Sequence, residues 1–237
     1  MTDWRGRVEQ VIAPSLIERV PRDHEQSDRE FRRRRTVVAV ALVVGTSLLA
    51  VSLSIRPGDP SFYYLSLTVA LVWLVGGCGS GPLHLGYLQF RGEPRRPVVI
   101  PIIAGLVAGL VFILGAFVVR EIAPLRHDVE TIVAHAQQGS TALIALVTLV
   151  NGAAEEVFFR GGLFAAIGRK YPVAISTVIY AAVTTVTGNP MLVFAAVTLG
   201  LVLALQRRAS GGILAPMLTH VTWSTMMVFL LPLLFPR

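Results

Sequence analysis

The chain has 237 residues, 54% of them hydrophobic and 15% charged, with a mean hydropathy of +0.66 and a formal net charge of +7. A soluble domain carries about 25% charged residues, so this balance excludes a disordered chain, a collagen-like repeat and an ordinary cytosolic enzyme. A single cysteine, Cys78, excludes a disulfide framework and a thiolate zinc cluster.

The apolar residues fall in membrane-length runs, for which roughly 20 residues are needed. In chain order the first run is about Thr36 to Ile55, the second Tyr63 to Leu83 and the third Val98 to Val119. The fourth starts near Thr141 and continues past Glu155 to Ile167. The fifth, Tyr171 to Val186, is short; the sixth spans Pro190 to Gln206. The seventh, Gly211 to Leu234, contains Pro216 and Pro232, either of which can kink it. The expected fold is an all-α polytopic membrane helix bundle of about seven transmembrane helices, with an eighth half-helix left open. Three regions are expected: a basic tail over 1–35, three N-terminal spans with their connections over 36–140, and a four-span core over 141–237. No secretory signal peptide is expected, because 35 mostly polar residues precede the first run. The longest connection, Arg120 to Ser140, is expected to be helical in part. In the tail, Trp4, Val8, Val11 and Ile12 share one helical face and suit a short interfacial helix ending at Pro14; a mobile tail fits them equally.

Lys and Arg set the orientation. On seven spans, sixteen basic residues fall on the side of the N-terminal tail, among them the run Arg32 to Arg35, and four on the other. The positive-inside rule then places the N-terminus in the cytoplasm and the C-terminus outside. This asymmetry accounts for the net charge without nucleic acid, the more so because the tail also carries seven acids. Basic clusters beside the spans suit contact with anionic membrane lipids. Twenty arginines against one lysine fit a GC-rich bacterial genome, hence a multi-pass protein of a bacterial plasma membrane.

Of fourteen acidic residues, twelve lie in the tail or in connections. The other two are adjacent, Glu155 and Glu156, deep in the fourth run, and the only cation within a run is Arg160. A charge at the bilayer centre costs about 2.5–3.5 kcal/mol on insertion scales, so such residues face the bundle interior. Glu156 and Arg160 are four apart, share a face and can pair. Glu155 points about 100° away and has no partner in its own helix. A sheltered, unpaired carboxylate suits a general base, with Glu156 and Arg160 as its support. The same three residues also suit a structural network that braces a bundle.

In the seventh run His220 and Ser224 share a face, with Trp223 beside them. An imidazole in a membrane helix serves a proton path, a ligand or a hydrogen bond between helices. The fifth run adds Tyr180, Thr184 and Thr185; threonines in such helices usually bond back to their own backbone.

Glu155-Glu156-Val-Phe-Phe-Arg160 has the form E-E-x-x-x-R, and His220-Val-Thr-Trp-Ser224 has the form H-x-x-x-S. With the phrase Gly211-Gly-Ile-Leu-Ala-Pro-Met-Leu-Thr-His220, these resemble the CAAX prenyl protease and bacteriocin-processing family, also described by its Abi domain. That family consists of intramembrane glutamic endopeptidases. The resemblance covers Thr141 to Phe229, and the first three spans resemble nothing specific. It implies that Glu155 activates the attacking water, that Glu156 and Arg160 match the second glutamate and the arginine, and that His220 and Ser224 stabilise the oxyanion. The family's last motif ends in Asn or Asp, which Ser224 replaces. Its middle motif, F-x-x-x-H, is best matched by Tyr180-Ala-Ala-Val-Thr184, so Thr184 stands where the family has histidine. A threonine hydroxyl donates a hydrogen bond but is no base at neutral pH. His84, His127 and His135 lack the spacing to replace that histidine.

The expected function is endopeptidase action on a membrane-associated protein or hydrophobic peptide, with no cofactor. Metal is disfavoured, because no H-E-x-x-H occurs and a set of Glu155, Glu156 and His220 would be oxygen-rich for zinc. A catalytically impaired relative acting as a membrane scaffold or immunity factor is the alternative that Thr184 favours. A proton-coupled transporter comes third, because no paired inverted repeats are evident.

Overall fold

A computed structural model describes residues 13–20, 25–90, 93–138 and 140–236. The stretch from Trp4 to Ile12 considered for an interfacial helix lies outside the described residues. Among the described residues eight main helices carry the fold: α1 (Asp28–Ser54), α2 (Ser61–Ser80), α3 (Val99–Val119), α4 (Ala123–Gln138), α5 (Thr141–Ile167), α6 (Pro172–Thr184), α7 (Pro190–Ser210) and α8 (Leu214–Leu234). All but α4 and α6 are long and apolar enough to cross a membrane; α6 with its 3₁₀ turn is a shorter apolar helix, Pro172–Thr187. Among the described residues the only strands are β1 (Leu88–Phe90) and β2 (Glu93–Arg95), an antiparallel pair.

Helix α1 begins eight residues before the apolar run. Ser27 and Glu30 form a reciprocal cap: the Ser27 N–H donates to Glu30 Oε2 at 2.9 Å, and the Glu30 N–H donates to Ser27 Oγ at 3.3 Å. Local capping thus carries the helix through Arg32 to Arg35, which the sequence assigns to the tail. Arg34 turns inward, fully buried, and donates to Gln26 Oε1, Ser80 Oγ and Pro82 O. Arg35 donates to Ala166 O at 3.1 Å. Together with Arg208 donating to Leu16 O and the Ile213 N–H donating to His84 O, these bonds gather residues 16–20, 26–35, 80–87, 166 and 208–213 at one arginine-rich end.

The opposite end is closed by α4. Asn189 donates to Asp128 O at 2.7 Å, and Gln137 donates to Phe235 O at 2.8 Å. Val129 and Val133 of α4 pack on Ala116 and Phe235. Within the connection between α3 and α5, Ala123–Gln138 is therefore a sixteen-residue helix at the far end. Below it α6 is short: thirteen residues span about 20 Å at 1.5 Å each, against a hydrocarbon core of about 30 Å. Its start is set by Gly168 and Tyr171, both at positive φ, and by Pro172 in the first turn.

Trp73 of α2 anchors the main core, buried against Phe158 and Phe159 at centroid separations of 4.6 and 5.2 Å. Helix α3 packs mainly on α8 through Gly105 and Gly109, the small-xxx-small spacing that lets membrane helices approach. A β-carbon at Gly105 would stand 2.7 Å from Thr219 O, whereas one at Gly109 would press on the Met226 side chain. Gly105→Ala is therefore expected to lower the thermal unfolding midpoint in detergent more than Gly109→Ala, because backbone cannot yield as a methionine can. The reverse order would show that the α3–α8 contact is looser than drawn.

Pro216 lies in the first turn of α8, where its missing N–H breaks no helix bond, and Pro232 lies in the last. The helix runs unbroken between them.

Candidate active site

Helix α5 changes character at the twin glutamates. Thr141–Glu155 is α-helical, Glu156–Leu163 is π-helical and Phe164–Ile167 returns to α. π-Turns are rare and concentrate at functional sites. All eight π-helical residues are buried, and the Gly161-Gly162 pair lets this widened turn lie close to Leu83 and Ser80.

Two buried charges meet inside this turn. Glu156 is fully buried, and its Oε1 accepts from Arg160 Nη1 at 3.0 Å. The same oxygen lies 2.8 Å from His220 Nδ1 on α8. A carboxylate only accepts, so Nδ1 carries the proton of this contact and Nε2 is the ring's second nitrogen for other work. Arg160 also donates to Gly200 O of α7 at 3.2 Å and sits 4.6 Å from the Tyr180 ring centroid on α6. Arg207 donates to the Arg160 carbonyl at 2.6 Å. Four helices thus converge on one desolvated ion pair, which is strong only when both partners and their hydrogen bonds are in place.

Glu155 faces elsewhere, as the 100° offset predicts. It lines a cavity of about 520 Å³ together with Gly152, Tyr180, Thr184, His220 and Ser224. The cavity runs from these residues to the far end, where Thr131, Ile132 and Val133 of α4 border it. Its walls are mainly apolar, with Leu49, Phe62, Val147 and Leu192 among them. The Glu155 Oε2 atom accepts from the Tyr180 hydroxyl at 2.6 Å, and no hydrogen bond to Oε1 is present among the described residues. Gly152, three residues before Glu155, keeps the floor open: a β-carbon there would stand 3.7 Å from Ser224 Oγ and 3.8 Å from His220 Nε2.

The six motif residues are therefore close neighbours, but their pairing differs from a simple reading. His220 bonds to Glu156, the supporting acid, while Glu155 bonds across to α6. Thr184 borders the cavity, yet its hydroxyl donates to Tyr180 O at 2.9 Å, the backbone bond usual for a threonine in a membrane helix. Thr185 does the same to Ala182 O. Tyr180, the first residue of the middle-motif match, makes a direct contact to Glu155 that spacing does not reveal, because a distance between two helices is not written in the spacing of either. Asn151, one turn before Glu155, also lines the cavity and donates to Val147 O at 3.0 Å.

Neither His84 nor His127 replaces the missing histidine. His84 lines a separate cavity of about 370 Å³ at the arginine-rich end, where burial, then Arg207 and Arg34, hold its ring below the usual imidazole range. His127 is exposed on α4, and the side chain of His135 lies outside the description. Among the described residues no group of three or more His, Cys, Asp or Glu is placed to hold a metal ion.

Residues 137–226 match the family model described as type II CAAX prenyl endopeptidase, Rce1-like. No curated protein and no solved structure matches the chain. The matched stretch contains all six motif residues, so this part of the chain is similar to the family that the glutamate–arginine motif resembles. With six long apolar helices, the chain is a multi-pass membrane protein, and the match supports a CAAX-type intramembrane protease.

Proposed function

We propose that the chain is an intramembrane endopeptidase that hydrolyses a peptide bond of a membrane-associated protein or hydrophobic peptide by glutamate-activated water. One observation carries this reading: Glu155, His220 and Ser224 border the same cavity, and Glu156 joins His220 to Arg160 beneath it. Glu155 Oε1 takes a proton from water as the water oxygen attacks the peptide carbonyl carbon. The Ser224 hydroxyl and the His220 ring, the latter held at Nδ1 by the Glu156 carboxylate, stabilise the developing oxyanion. Glu155 then passes its proton to the leaving amine nitrogen as the C–N bond breaks. Glu156 and Arg160 hold the histidine and take no proton. The mainly apolar walls suit a hydrophobic segment. The excess of basic residues supports a cytoplasmic arginine-rich end in a bacterial plasma membrane, so the cavity runs from mid-bundle toward the outer face.

The purified full chain in proteoliposomes is expected to cleave members of a panel of single-span membrane proteins, and Glu155→Gln to cleave them at least about 100-fold more slowly. A second reading, a catalytically impaired scaffold or immunity factor, is favoured by the Thr184 hydroxyl being spent on its own backbone. It expects no cleavage by either protein in this assay and a membrane partner that co-purifies with both.

The floor of the cavity offers a separate check. Gly152→Ala adds a methyl at ordinary contact distance and is expected to keep fold and cleavage. Gly152→Leu fills the gap between Ser224 and His220 and is expected to lower cleavage by about 100-fold with little change in thermal unfolding. Equal cleavage by the two variants would place the reacting carbonyl elsewhere.

A further inference from the structure

We propose that Tyr180 is a positioning residue for this reaction: its hydroxyl grips one oxygen of Glu155 and leaves the other turned to the cavity for the attacking water. The inference rests on the peptidase reading and gives a role to a residue that the motif match left without one: Tyr180 stands where the middle motif has phenylalanine, and its hydroxyl is what phenylalanine lacks.

A separation of 2.6 Å between the Tyr180 hydroxyl and Glu155 Oε2 is that of a short, charge-assisted hydrogen bond. Both side chains border the same cavity. The last torsion of a glutamate is broad, so a carboxylate held by nothing would sample many orientations. Tyr180 removes that freedom because its own ring is fixed on three sides. Phe159 packs on it at 4.7 Å between centroids, the Arg160 guanidinium lies 4.6 Å from its centroid, and a β-carbon at Gly200 would touch its edge at 3.1 Å. The hydroxyl consequently has one direction to point.

Its neighbour on the same face cannot do this work. Thr184 has a single hydroxyl proton, already donated to Tyr180 O. Arg160, beneath the tyrosine ring, is bonded to Glu156, which in turn holds His220. One connected set of side chains thus aims both cavity-facing groups, Tyr180 at Glu155 and Glu156 at His220.

The test compares wild type with Tyr180→Phe, which removes one oxygen and keeps the ring packing, in the full chain. Cleavage kinetics are measured on a single-span membrane protein from the panel, and modification of Glu155 by dicyclohexylcarbodiimide is followed by peptide mass spectrometry. Tyr180→Phe is expected to lower kcat by about 10- to 100-fold, leave KM within about twofold, and speed Glu155 modification several-fold, with an unchanged unfolding midpoint. A purely structural role for the ring predicts that Tyr180→Phe is neutral and only Tyr180→Leu is damaging. Unchanged kcat in Tyr180→Phe, or unchanged Glu155 modification, overturns the inference while an active wild type leaves the peptidase reading standing. A wild type inactive on the whole panel overturns both.

Discussion

Glu155→Gln is expected to reduce peptide hydrolysis by about 10²- to 10⁴-fold, the usual contribution of a general base, while the protein folds as before. The substitution is nearly isosteric. The glutamine carbonyl can still accept from the Tyr180 hydroxyl, the only hydrogen bond to this carboxylate among the described residues. What is lost is the capacity to take a proton from water, since an amide oxygen is a far weaker base. Glu155 is also not part of the buried ion pair, so little stability is at stake. Initial rates in proteoliposomes, measured beside thermal unfolding in detergent, separate the two effects. A variant that cleaves as fast as wild type would remove Glu155 from the chemistry and leave His220, through its Nε2, as the remaining base in the cavity.

Arg160→Met is expected to behave in the opposite way, as a failure of the fold. Glu156 and Arg160 are fully buried, and breaking such a pair by removing one partner costs about 3–5 kcal/mol, because the other charge stays desolvated and unmatched. The substitution also takes the donor from Gly200 O and the cation from beneath the Tyr180 ring. The double variant Glu156→Gln, Arg160→Met should recover part of the loss, because no uncompensated charge remains, yet it should not recover cleavage, because His220 loses the anion at Nδ1. Unfolding of the three proteins in the same detergent checks this. If the double variant is less stable than Arg160→Met by the full cost of a second independent change, the two side chains are not coupled as drawn.

The two outcomes differ because adjacent glutamates are placed in different surroundings by one helix. Glu155 looks into the cavity; Glu156 looks into packed protein. That split was legible in the sequence, since neighbouring residues on a helix point about 100° apart and only one of them stands four residues from an arginine. The membrane spans were legible for an equally local reason: a run of about 20 apolar residues is what a bilayer requires, whatever its neighbours do. Helix α1 shows where apolarity misleads, because the Ser27–Glu30 cap extends it through the arginine run that composition assigns to a tail. The shortness of α6 was visible, but not that α4 would cover the space beside it.

By itself, then, the sequence determined the elements, the charges inside them and which charge lies on which face, because each follows from spacing along one chain and from the cost of carrying charge into lipid. Only the tertiary structure decided that His220 meets Glu156, that Tyr180 meets Glu155, and that the Thr184 hydroxyl is turned to its own backbone. Those contacts depend on how far each helix is rotated and slid against the next. That is set by close packing at places such as Gly105 on Thr219 and Trp73 on Phe158, where side chains from distant parts of the chain must fill one volume together.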